Sequence, residues 1–105
     1  MKKIARLYVN RIFNNIEKEL KEVSEGALTP QEFLSAVLGI RRIQTLFPSE
    51  GWVTDGYVLT LTVGGPNTYL DTEKKLIEVY WISQKWVHEI TDPKALEGLE
   101  IIKNT

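Results

Sequence analysis

The sequence predicts an α+β fold: two N-terminal antiparallel helices packed on an antiparallel meander of three or four strands, closed by a short C-terminal helix. Three observations carry this. Apolar residues recur mainly every fourth position from Ile4 to Val23, the period of one helix face. Thr29-Pro30-Gln31-Glu32 has the composition of a helix start. From Tyr57 onward, alternating β-type residues flank Gly64-Gly65-Pro66-Asn67, as in a hairpin.

A chain of 105 residues has the length of one domain. Its expected parts are a helical half over 1–47, a sheet half over 57–90 and a C-terminal helix and tail over 92–105. In the first helix, Ile4, Tyr8, Ile12, Ile16, Leu20 and Val23 form the stripe, and Ala5, Val9 and Phe13 widen it. That width suits packing on a sheet or on two neighbours better than a two-stranded coiled-coil seam. Gly26 supplies the stop. The second helix is expected to start at Pro30, with Thr29 as N-cap and Glu32 completing a capping box, and to run to Phe47 ahead of Pro48. Its apolar residues occupy more than one face. Trp52, inside a polar loop, is expected to plug the edge of the core.

In the sheet half, Tyr57, Leu59, Leu61 and Val63 should face the helices, and Val58, Thr60 and Thr62 should face outward. Strands are expected over 68–71, 76–82 and 86–90. Asp92 is the expected N-cap of the last helix, which Gly98 should weaken.

Thirteen Lys and Arg against fourteen Asp and Glu give a formal net charge of −1, so no global field attracts nucleic acid. The absence of cysteine excludes disulfides, thiol nucleophiles and thiolate metal sites. No apolar run reaches the length of a membrane span. The expectation is a cytoplasmic protein with no membrane partner.

The chemistry-bearing residues are few. Gly64-Gly65-Pro66-Asn67 joins two strands instead of opening a helix, and Pro66 lacks an N–H, so a phosphate cradle is a poor match. His88 is the one histidine and has no marked ligand partners, so it reads as a satisfied or surface histidine. Asp71, Glu73, Glu78 and Glu89 sit where solvated charges belong. No catalytic residue, metal ligand or cofactor is therefore expected.

Tyr80 and Trp81 are adjacent on one strand and must point to opposite faces, which puts apolar surface on the outer side of the sheet. Val58, Thr60, Thr62, Tyr80 and Trp81 are the candidate interaction surface, for a second copy or another protein. The alternative is nucleic-acid binding through a local basic patch of Arg6, Arg11, Arg41 and Arg42 on the helices.

The run from Val58 to Gly64-Gly65-Pro66, followed by Val79-Tyr80-Trp81, resembles a segment of small uncharacterised proteins carried by plasmids and phages. The resemblance covers roughly a third of the chain. It implies an accessory protein of a mobile element and no particular activity.

Overall fold

The computed structural model describes residues 2–105. Its elements are α1 (Lys2–Glu25), α2 (Pro30–Ser35), β1 (Gly39–Phe47), β2 (Gly51–Thr62), β3 (Asn67–Asp71), β4 (Leu76–Trp81), β5 (Gln84–Glu89) and α3 (Pro93–Lys103). The five strands form one antiparallel sheet in chain order. The class is α+β as expected, but with one long N-terminal helix and five strands where two helices and three or four strands were predicted.

The expected stripe buries α1 from Val9 onward, with the widening residues Val9 and Phe13 among its most buried members, whereas Ile4 and Tyr8 at its start are exposed. Val9, Phe13, Ile16, Leu20 and Val23 enter the core together with Leu59, Leu70, Ile77 and Val79 from the sheet. Helix α3 adds Ala95, Leu99 and Ile102. The helix ends at Gly26, whose φ of +80° lies in the left-handed region that L side chains disfavour.

The capping box also forms. The Glu32 backbone N–H donates to Thr29 Oγ1 and the Thr29 N–H to Glu32 Oε1, each at 3.1 Å. The helix it opens is only six residues long, however, and 39–47 is a strand. Gly39 is a poor helix interior, while Ile40, Ile43, Thr45 and Phe47 are β-branched or aromatic. Leu38 N–H donates to Thr60 O at 2.8 Å, so the chain has joined the sheet by that point. The apolar residues that occupied several faces of a helix are the residues of this strand.

Two irregularities change which residues share a face. Between Thr60 and Thr62 the pairing with β3 shifts, so Leu61 is an extra residue and Thr62 lies opposite Thr68. This turns Thr62 to the helix side, where its hydroxyl hydrogen-bonds the buried Thr68 hydroxyl at 2.8 Å. Between Ile43 and Gln44 the register with β2 shifts by one residue at Asp55. Gly56 sits at this bend, where a Cβ would lie 2.8 Å from the Glu73 Cβ and 2.9 Å from Thr72 Oγ1.

Tyr57, Leu59 and Leu61 face the helices as expected, whereas Val63 is exposed beyond the strand end. Asp92 caps α3, accepting from the N–H groups of Lys94 and Ala95 at 2.9 and 3.1 Å. Gly98 is also a contact point: α3 crosses α1 with Gly98 against the backbone of Leu20.

Candidate interaction surfaces

Beyond the sheet, β1 and β2 continue as a two-stranded arm. Residues 58–62 of β2 pair with β3, whereas residues 51–56 pair with β1 alone among the described strands. The arm therefore has two unpaired edges and two uncovered faces. Its strands are held by their backbone ladder, a Gln44 to Thr54 side-chain bond at 3.4 Å and a Thr45–Asp55 hydrogen bond.

The arm is apolar at its tip on both faces. Leu46 lies opposite Trp52 on one side. Phe47 and Val53 occupy the other, by strand alternation. All four are exposed: Trp52 by 66%, Leu46 by 55%, Phe47 by 43% and Val53 by 36%. Trp52 therefore plugs no core. A two-stranded ribbon with apolar residues on both faces is marginal alone in water. Pro48, Ser49 and Glu50 make the turn, with Glu50 N–H donating to Phe47 O at 3.1 Å.

The outer sheet face is different. Arg41, Val58, Thr60, Asn67, Tyr69, Glu78 and Tyr80 line an open cleft of about 490 Å³. Lys85 Nζ lies 2.8 Å from Glu78 Oε2 and 5.6 Å from the Tyr80 ring centre. The Tyr80 hydroxyl donates to the same carboxylate oxygen at 3.2 Å, and Tyr69 meets Tyr80 edge-on at 5.8 Å. Chiefly through its hydrogen bond with Lys85, the Glu78 carboxyl is held below the usual carboxylate range. This face is a polar, internally paired surface.

Of the five residues expected to share the outer face, Val58, Thr60 and Tyr80 do so. Thr62 does not, because of the shift at Leu61. Trp81 also faces the helices, its ring 5.0 Å from that of Tyr8. The four arginines do not converge either. Arg41 and Arg42 are neighbours on a strand, so they point to opposite faces, and Arg41 lies on the side away from α1, which carries Arg6 and Arg11.

His88 lies on the helix side of β5. Its ring stacks on Phe13 with centres 5.0 Å apart, and its Nε2 is paired with Glu17 of α1. The sequence pattern gave no sign of this partner, which is 71 positions away. Asp71, read from sequence as a solvated charge, is 5% exposed and accepts from the N–H groups of Glu73 and Lys74 in the β3–β4 turn. Among the described residues, no three His, Cys, Asp or Glu side chains are grouped to hold a metal ion. No described helix is long and apolar enough to cross a membrane.

Sequence reasoning missed the arm. The signal was present in the β-branched content of 39–47 and in the Pro48–Gly51 turn between two apolar pairs. Comparison with protein families, with curated proteins and with solved structures finds no match for this chain.

Proposed function

We propose that this chain is a non-enzymatic interaction domain that self-associates, with the β1–β2 arm as its binding element. The observation that carries this is the exposure of Leu46, Phe47, Trp52 and Val53 on both faces of a ribbon that none of the described residues covers. Exposed apolar surface gathered in one place marks an interaction site, whereas scattered single residues do not. A tryptophan at its centre is the type of residue that dominates binding energy. The unpaired edge of β1 offers backbone hydrogen bonds as well.

The groups suited to proton chemistry are engaged elsewhere: Glu78 with Lys85 and Tyr80, Asp71 with two backbone amides, and His88 with Glu17. This supports a binding role over a catalytic one. An accessory role in a mobile element, as the Val58–Pro66 resemblance implies, is compatible with it.

Sedimentation velocity across a wide concentration range tests the reading. The wild type should gain mass with concentration, and a Leu46→Ser, Trp52→Ser chain should remain a monomer. A wild type that stays monomeric at high concentration removes self-association. Salt-dependent nucleic-acid binding that is lost in Arg6→Ala, Arg11→Ala would instead favour the alternative partner.

A further inference from the structure

The arm tip and the start of α1 both expose apolar side chains, and they lie at opposite ends of the molecule. From Trp52 to Thr62, β2 runs ten residues, about 33 Å at the rise of a strand. The longest dimension of the molecule is 52 Å. At the far end lie the turn after Thr62, the end of β4 at Trp81 and, through the Tyr8–Trp81 contact, the start of α1.

There α1 departs from its own pattern. Ala5 and Val9 are buried, yet Ile4 is 69% and Leu7 70% exposed, so the first two turns are apolar on the wet side too. Ile4 and Leu7 thus form an uncovered apolar patch set among cations on the solvent side of the helix, the kind of patch that marks a contact. Val63 and Ile82 are exposed at the same end.

The two ends also differ in charge. Residues 2–11 carry four basic side chains and no acidic one, and the first turn of α1 has no acidic residue. Cations at a helix N-terminus oppose the helix dipole, a disadvantage that an anionic partner would relieve. The arm, residues 43–55, carries Glu50 and Asp55 and no basic residue.

We infer that the partner of the arm is the α1 end of a second copy, so that chains associate head to tail. This rests on the arm being the binding element and adds where it docks. The two ends are complementary in charge and both apolar. Pairing arm with arm would leave the α1 end uncovered, whereas head-to-tail contact covers both. Such a contact is heterologous, so it closes into a ring or propagates as a chain.

Two variants test this, each altered at exposed positions so that the core is untouched: Leu46→Ser, Trp52→Ser at the arm, and Ile4→Ser, Leu7→Ser at the helix end. Sedimentation velocity is run on each alone and on an equimolar mixture, at a concentration where the wild type is mostly associated. Head-to-tail contact predicts that each variant alone is a monomer and that the mixture forms a particle of two chains and nothing larger. Raising the salt concentration should weaken it. A helix-end variant that associates like the wild type overturns the inference and leaves the arm reading standing. A wild type that never associates overturns both.

Discussion

Gly98→Ala separates two opposed effects at the α1–α3 crossing. On an isolated helix the change is favourable, by about 1 kcal/mol in propensity. Here a Cβ on residue 98 would run into the Leu20 carbonyl, with its carbon at 2.7 Å and the Leu20 Cα at 3.2 Å. The obstacle is backbone of another helix, not the end of a flexible side chain, so α3 must lift away. Ala95, Leu99 and Ile102 would then be drawn from a core in which each is at most 4% exposed. Overpacking of this kind costs about 1–3 kcal/mol, which exceeds the propensity gain. Urea unfolding should show a lower midpoint for Gly98→Ala with an unchanged m-value. A midpoint equal to or above the wild type would refute the close crossing.

The remaining expectations separate the arm from the core. Trp52→Ser should change stability by less than about 1 kcal/mol, because the side chain meets its cross-strand partner Leu46 and no core residue; Ile77→Ala, at a fully buried position, should cost about 2–5 kcal/mol. Urea midpoints at a concentration where the chain is monomeric check both, and a Trp52 effect as large as that of Ile77 would restore it to the core. The Asp92 carboxyl is held below the usual aspartate range, first by the Ala95 N–H and then by Lys21. Since its native value is lowered, its stabilisation is present above the ordinary aspartate value and is lost as pH falls through the native one. Asp92→Asn keeps an N-cap acceptor and removes the charge, so the stability gap to wild type should narrow on acidification. A gap independent of pH would contradict the assignment.

Much of the fold was legible because the determining interactions are local. The i, i+4 stripe of α1 beyond its first two turns, the Thr29–Glu32 capping box and Asp92 ahead of Pro93 each act within a few residues, and each appears where its pattern placed it. The strand alternation of Tyr57, Leu59 and Leu61 was equally readable. The errors arose where non-local pairing decides. Residues 39–47 carry apolar residues compatible with a helix buried on two sides, and only their pairing with Gly51–Thr60 makes them a strand. That single change converts Trp52 from a presumed core plug into the tip of an arm, and it places Arg41 and Arg42 on opposite faces.

The site was less legible than the fold for the same reason. Register irregularities at Leu61 and Asp55 are invisible to a period-two reading, and one extra residue reverses the face of everything beyond it. Thr62 left the outer surface in this way. Trp81 lies on the helix side, which the sequence could not settle, because both it and Tyr80 are amphipathic aromatics.

The most direct test of an arm that binds another chain is amide hydrogen exchange, measured at two protein concentrations. In the monomer the ladder between β1 and β2 is the arm's only protection, so the amides of residues 44–55 should exchange well before those of β3 and β4. Raising the concentration should slow exchange in 44–55 while leaving Leu70, Ile77 and Val79 unchanged. Exchange in the arm that is identical at both concentrations would contradict the proposal that this ribbon exists to be covered by a partner copy.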